Sequence, residues 1–418
     1  MLQTLVNAWK VADIRKKIIF TVAMLIVFRF GSHIPVPGID PNQIKNILGQ
    51  GQLFGFFDIV SGGAFRNFTI FAMSIIPYIN ASIIMQLLTI AIPALEQMAK
   101  EGEEGRKKIA QYTRYLTVVL ALIQAIGMTI GLRSAVINPN FINMSIIVLS
   151  LTAGTSFLMW LGERITENGI GNGSSLIIFA GIISRIPNMG FLTVEYVKAG
   201  TANIFGAIAF ILAELIMIVL IILTMEGQRR IPVQYAKRVV GRKVYGGQST
   251  HIPIKVNMAG VIPIIFAMSL LQFPQQLAAF FPKTGFYNFI QKWLSTNGVM
   301  YNLFDALLII GFTYFYTAII FNPVDVSDNM KKYGGFIPGI RPGKPTTDYI
   351  TRVMNRITFV GALFLAFIAT MPVILMGITG LQLYFGGTAL LIAVGVALDT
   401  MKQIEGQLIM RNYQGFLK

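Results

Sequence analysis

The chain has 418 residues, of which 12 % are charged and 54 % hydrophobic, with a net charge of +16 and a mean hydropathy of +0.65. Soluble proteins carry about 25 % charged residues, so a water-soluble fold is excluded and an integral membrane protein is expected. With no cysteine and only two distant histidines, His33 and His251, a disulfide framework, a thiol nucleophile and a histidine-built metal site are also set aside.

Residues 1–17 place Leu2, Leu5, Val6 and Trp9 against Lys10, Arg15, Lys16 and Lys17. That pattern predicts an interfacial amphipathic segment rather than a cleavable signal. Apolar runs of spanning length follow at 18–34, 68–93, 115–136, 144–162, 174–191, 204–225, 256–276, 303–321, 357–378 and 383–401. Ten runs put both termini on one side. Of the 34 Lys and Arg residues, 26 fall on the N-terminal segment, 94–114, 163–173, 226–255, 322–356 and the tail after 401. That bias makes those segments cytoplasmic, so the excess charge sits on one face and favours anionic lipid, nucleic acid or an acidic protein.

The first outer segment, 35–67, does not cross, yet 53–67 is mostly apolar and contains Gly62-Gly63. It reads either as an interfacial loop or as a re-entrant piece held among the helices. Five spans precede the middle of the chain and five follow. An odd-numbered half repeated in tandem must come out inverted in the membrane, which predicts two pseudo-symmetric halves, 18–193 and 204–401, with the functional path between them. The fold class expected is therefore all-α integral membrane with ten spans.

Ionisable residues inside the spans are few: Arg29, Glu214, and Arg185 and Asp399 near span ends. Glu214 is either a neutral or interhelically bonded acid, or the coupling group of an ion-driven transporter. Uncharged polar groups such as Asn80, Gln86, Gln124 and Gln272 are commoner and ordinarily join helices. Ile75 and Ile79 share one spacing of four, and Ile178 and Ile182 another; by default such residues face lipid or a neighbour. The stretch Gly339–Thr346 imitates a phosphate loop but has Pro338 where the first glycine belongs, and Pro345 after Lys344. Gly169-Ile-Gly171-Asn-Gly173 is spaced wrongly for a dinucleotide turn. No nucleotide site is recognisable and no cofactor is expected, so any nucleotide-driven work falls to a partner.

Two cytoplasmic loops are large. In 226–255, the cations Arg229, Arg230, Arg238, Arg242 and Lys243 alternate with Val, Ile and Tyr, predicting a projecting hairpin. The segment 322–356, with Gly334-Gly335, Pro338, Pro342 and Pro345, predicts a turn-rich loop rather than a helix. Either loop could serve topology alone, or dock a partner such as an RNA backbone.

The strings GGAFRNFTIFAMSIIPYINASIIMQLLT (62–89), ERITENGIGNGSSLIIFAGI (163–182), RRIPVQYAKR (229–238), PIKVNMAGVIPIIFAMSLLQFP (253–274) and NPVDVSDNMKKYGGFIPGIRPGKPT (322–346) closely resemble the SecY family. The resemblance runs in order from about residue 10 to 418. It implies the central subunit of a protein-conducting channel of the bacterial plasma membrane, passive and not an enzyme. It implies a plug at about 55–67 with Asp58, Gly62, Gly63 and Arg66. It further implies a constriction of Ile75, Ile79, Ile178, Ile182, Ile265 and Ile392. A lateral gate would lie between spans two and three and spans seven and eight, with Asn80, Gln86 and Gln272 as polar groups. Arg229, Arg230, Arg238, Arg242, Lys243 and Arg341 would form docking loops for the SecA ATPase or the ribosome. The small membrane subunits SecE and SecG, a translocating polypeptide and anionic lipid complete the implied partners.

Overall fold

The computed structural model describes residues 2–40, 43–44, 61–200, 203–235, 238–240, 243–245, 249–279, 284–294, 298–379 and 387–415. Ten helices form the main bundle among them. They are α2 (Ala12–Gly31), α3 (Ile76–Ala91), α5 (Glu103–Gly131), α6 (Phe141–Asn168), α7 (Gly173–Lys198), α8 (Ile204–Glu226), α9 (Ile262–Ala279), α11 (Val299–Ile320), α13 (Lys344–Thr379) and α14 (Gly387–Gly415). Short helices α1 (Leu2–Lys10), α4 (Pro93–Lys100), α10 (Gly285–Trp293) and α12 (Pro323–Lys332) lie at their ends. Helices α5, α6, α7, α8, α11, α13 and α14 are each long and apolar enough to cross a membrane alone. The pair α3 and α4 passes that test only together, bent by 100° where Pro93 removes a donor from the ladder.

The helix pairings repeat across the middle of the chain. In the first half α3 packs on α5, α5 on α6, α6 on α7, and α2 on both α6 and α7. In the second half α9 packs on α11, α11 on α13, α13 on α14, and α8 on both α13 and α14. Shifting each helix by five positions maps the first set onto the second. This is the contact pattern of an inverted duplication whose halves no longer share readable sequence. Across the seam, α7 meets α14 and α8, while α9 meets α3 and α5.

Close packing within each half relies on small residues. A Cβ at Gly173 would collide with the Gly162 carbonyl between α6 and α7, and one at Gly387 with the Ile368 carbonyl between α13 and α14. Threonines inside the helices, such as Thr117, Thr152, Thr313 and Thr379, donate to carbonyls four residues back, so their hydroxyls are satisfied without water. Asparagines start helices where the sequence supplies them: Asn172 Oδ1 accepts from Ser175 N at 3.1 Å, and Asn322 Oδ1 from Val324 N at 3.0 Å.

Three boundaries differ from expectation. The interfacial segment breaks at Val11, and residues 12–17 already belong to α2. The run 68–93 is not one helix, because Phe68 (φ 44°) and Ser74 (φ 52°) take left-handed conformations and α3 starts only at Ile76, with Pro77 in its first turn. The segment 322–356 is largely helical, a correction to the turn-rich loop: prolines 323 and 345 sit at the starts of α12 and α13, where a missing N–H costs nothing. Only 333–343 is turn and strand. The predicted hairpin in 226–255 is present as β1 (Gln228–Tyr235) paired antiparallel with β4 (Ser249–Lys255), Gln228 opposite Lys255 and Gln234 opposite Ser249. At its far end β2 (Arg238–Val240) pairs with β3 (Lys243–Tyr245).

Candidate functional site: a closed waist between two halves

Where the halves meet, a small cavity is lined by Ile76 and Ile79 of α3, Ile178 of α7, Ile265, Met268, Ser269 and Gln272 of α9, and Ile392 of α14. Its volume is about 20 Å³, room for about one water molecule. Its lining contains no titratable group. Branched aliphatic side chains from both halves thus close the seam, and a constriction of this kind excludes ions by refusing to wet.

Of the six isoleucines proposed for a constriction, the structure brings Ile79, Ile178, Ile265 and Ile392 together. Ile75 and Ile182 lie outside this lining. Ile75 precedes the first turn of α3, and its side chain points to the α6–α7 crossing, with its Cδ1 3.4 Å from where a Gly162 Cβ would sit. Ile75 caps α3, its carbonyl accepting from Ile79 N at 3.1 Å, and Ile76 rather than Ile75 takes the inward position. Ile182 is one helical turn beyond Ile178, about 5 Å, beside Gly181, against which Gly62 rests. Ile76, Met268 and Ser269 were not anticipated. The signal for Ile76 was Pro77, which fixes where the helix and its register begin.

Residues 61–75 pack beside the waist against α2, α6 and α7. Gly62 (φ 66°) approaches α7 so closely that a Cβ would lie 2.9 Å from Ser184 Oγ and 3.0 Å from Gly181 Cα. Its carbonyl accepts a 2.7 Å bond from Arg29 Nη1 of α2, and the same nitrogen donates to Ser184 Oγ at 3.3 Å. Ser61 Oγ accepts from Phe65 N at 3.1 Å, and Phe65 and Phe68 are buried. Ring contacts fix the segment to the bundle: Phe28 to Phe71 at 6.2 Å and Phe71 to Phe157 at 5.9 Å between centroids. Outside it opens a polar pocket of about 320 Å³ whose lining includes Arg29, Gly62, Gly63, Arg66 and Arg185. Asp58 and the first part of the proposed plug lie outside the described residues.

The polar groups proposed for a side gate are dispersed. Gln272 faces the waist cavity itself. Asn80 is buried on α3 with its Oδ1 unpartnered, and Gln86, one and a half turns on, is exposed. Helix α9 packs against both α3 and α5, and Gln124 of α5 also keeps an amide nitrogen buried without a partner. Glu214 of α8 has both carboxylate oxygens buried and unpartnered, away from the waist lining.

One sheet joins the two large loops. Strand β5 (Gly335–Phe336) from the second loop pairs with β1 of the first, in the order β4-β1-β5. Ile231, Val233 and Ile254 on one sheet face pack with Met330, Ile337 and Ile350, leaving Arg229 and Arg230 exposed. Arg341 is exposed in a turn bracketed by Gly339 (φ 82°) and Gly343 (φ 95°). The turn is held by Thr346 Oγ1 donating to the Arg341 carbonyl at 2.8 Å and Ser327 Oγ to the Gly343 carbonyl at 3.0 Å. Arg238 stands opposite Tyr245, and Lys243 opposite Val240; Arg242 lies outside the described residues. The glycines of 169–173 make the turn between α6 and α7. There Ile170 N donates to Thr21 Oγ1 and Gly171 N to Gln403 Oε1, both at 3.0 Å, so the turn touches both halves.

A helical membrane protein with two inverted halves, a mostly aliphatic closure at their seam and a folded segment packed beside it belongs to the class of membrane conduits. The comparisons with known proteins narrow that class. The SecY family model matches residues 69–401. The protein translocase subunit SecY of Halalkalibacterium halodurans is 51 % identical over 436 residues, spanning the whole of both chains. A solved SecY structure, described as one in which the plug domain stabilises the closed state and maintains a membrane seal, superposes with a TM-score of 0.65. It has 20 % identity and covers 93 % of this chain and 91 % of its own. Sec61 in a canine ribosome-channel complex gives a TM-score of 0.63 at 19 % identity, over 93 % and 91 % of the two chains. This chain belongs to the SecY family.

Proposed function

We propose that the chain is the central subunit of a protein-conducting channel. It passes unfolded secretory polypeptides across the bacterial plasma membrane and releases apolar segments sideways into lipid. All ten bundle helices cross, with both termini in the cytoplasm as the Lys and Arg distribution directs. The observation that carries the reading is the waist: isoleucines from both halves converge on a space of about one water with no fixed charge. A passage for chains of every sequence cannot hold specific ligands. A deformable apolar collar admits any side chain and refuses ions. Ile76, Ile79, Ile178, Ile265 and Ile392 form this collar, with Ile182 at the level of the plug.

Residues 55–67 act as the plug, held through Arg29 and the Gly62 carbonyl. The seam where α9 meets α3 and α5 is the lateral gate, with Asn80 and Gln272 near it. A segment in the pore can then partition into lipid. Each central Leu, Ile or Phe favours exit by about 0.3–0.6 kcal/mol, and each Asp, Lys or Arg opposes it by about 2.5–3.5 kcal/mol. The pore supplies no energy, so the chain must be driven. Arg229, Arg230, Arg238, Arg242, Lys243 and Arg341 on the joined loops dock the SecA ATPase or the ribosome. SecE and SecG are the accompanying membrane subunits, and anionic lipid attends the basic face. The test is reconstitution in proteoliposomes with those subunits, SecA and ATP, followed by protease protection of an unfolded secretory precursor. ATP-dependent protection is expected. Precursor left fully digestible while a SecY of known activity protects it in parallel would refute the reading.

A further inference from the structure

Helix α10 (Gly285–Trp293) joins the end of α9 to the start of α11, on the side of the bundle opposite the two large loops. Thr284 Oγ1 caps it, accepting from Tyr287 N at 3.3 Å. At 100° per residue, Phe286, Phe289, Ile290 and Trp293 fall within one arc of about 100°, and Asn288, Gln291 and Lys292 fall opposite. Only Ile290 is spent on the protein, at 5 % exposure, whereas Phe286, Phe289 and Trp293 are 46 %, 57 % and 43 % exposed. The Phe289 and Trp293 rings lie 6.4 Å apart. Large aromatic side chains are thus arrayed, about half exposed among the described residues, on a capped helix.

The helix is also tied to its neighbour. Pro274 interrupts the last turns of α9, and the next residue, buried Gln275, donates from Nε2 to the Leu294 carbonyl just past α10, at 2.6 Å. On the two helices that α10 joins, Phe273 of α9 and Leu303 and Phe304 of α11 are also exposed. Its place in the chain identifies the occupant. A short helix just before α11, which is long and apolar enough to cross a membrane, with exposed aromatic rings on one face and amide and lysine groups on the other, suits the bilayer interface, where such rings partition.

We infer that α10 is an interfacial anchor: it lies on the outer leaflet with Phe286, Phe289 and Trp293 in the headgroup–acyl boundary, and through Gln275 it fixes the depth of the outer end of α9. The leaflet named depends on the orientation given above; the contact with lipid does not. Because α9 forms one side of the seam with α3 and α5, the anchor sits on a helix that gate opening must move.

The test uses the full channel complex in vesicles, with Trp9→Phe and Trp160→Phe leaving Trp293 as this chain's single tryptophan. Lipids brominated high on the acyl chain should quench its fluorescence about twofold more than lipids brominated near the methyl end, as a shallow site requires. Water-like emission with no bromine quenching overturns the proposal. So does quenching that is deepest near the methyl end. The natural absence of cysteine allows a second arm. A Phe289→Cys variant should react with an impermeant maleimide about tenfold more slowly than Asn288→Cys on the polar face. Equal rates refute lipid contact. Slow labelling at 289 without bromine quenching at Trp293 means a protein partner covers the arc, and also overturns it. Should Asn288→Cys label only from the inner side, the orientation fails while the lipid contact stands.

Discussion

The register of α3 at the waist gives the sharpest test of the proposed seal. Two adjacent isoleucines differ in what they touch: Ile76 lines the closed space with Ile79 and Ile178, while Ile75 points to the α6–α7 crossing. Exchanging Ile76 for Ser removes three apolar carbons from the lining and leaves a hydroxyl. At about 0.8 kcal/mol per buried carbon the barrier to wetting falls by about 2.4 kcal/mol. At about 1.4 kcal/mol per factor of ten, that is about a fiftyfold rise in resting ion flux. The deleted side chain also makes room for about two further waters at roughly 30 Å³ each. Resting conductance in planar bilayers is the assay, without precursor or motor, normalised to inserted protein. Ile76→Ser and Ile178→Ser should leak by this factor, Ile178→Leu should stay near the parent because volume is kept, and Ile75→Ser should destabilise without leaking. A leak at Ile75→Ser with Ile76→Ser silent would show that the inward position was misassigned. Silence in both Ile76→Ser and Ile178→Ser would remove the seal itself.

Other outcomes follow from the same geometry. Gly62→Val should raise resting conductance with frequent openings, because its Cβ would lie 2.9 Å from Ser184 Oγ and 3.0 Å from the Gly181 backbone in a left-handed residue; a channel as quiet as the parent would mean the segment is not part of the closure. Arg29→Gln should have a milder effect of the same sign, since a hydrogen bond from a charged donor is worth about 1.5–3 kcal/mol, and closed-state lifetimes in single-channel records measure it. Gly154→Ala places a methyl against the Ile70 carbonyl between α6 and the covering segment; overpacking of this kind costs about 1–3 kcal/mol, to be seen as a lower melting temperature of the purified complex. Arg341→Glu should cut SecA-driven export by at least about tenfold, the factor that a lost charge-assisted contact of about 1.5–3 kcal/mol implies, with melting temperature unchanged because the side chain is exposed. Export at the parental rate would exclude Arg341 from docking.

Composition and charge were enough to define a helical membrane protein, because a chain with 12 % charged residues cannot cover itself in water. The spans, the hairpin at 228–255 and the basic face follow from local periodicity and count, which are properties of neighbouring residues. What the chain order could not show is which side chains meet. Ile79, Ile178, Ile265 and Ile392 are separated by up to 313 residues and converge only because two halves pack face to face. Ile75 shows the limit of spacing: it caps α3 and bonds to Ile79 N, yet its side chain packs at the α6–α7 crossing, which only the tertiary contacts decide. The duplication is written in no shared motif; the count of five spans and five predicts it, and the pairing of helices displays it. Likewise the joining of the two large loops through Gly335–Phe336 on β1 is a long-range pairing that neither loop's pattern announces. Local composition set what each segment prefers as solvent; tertiary packing decided which preferences are satisfied against one another, since a seal requires partners that chain order does not place side by side.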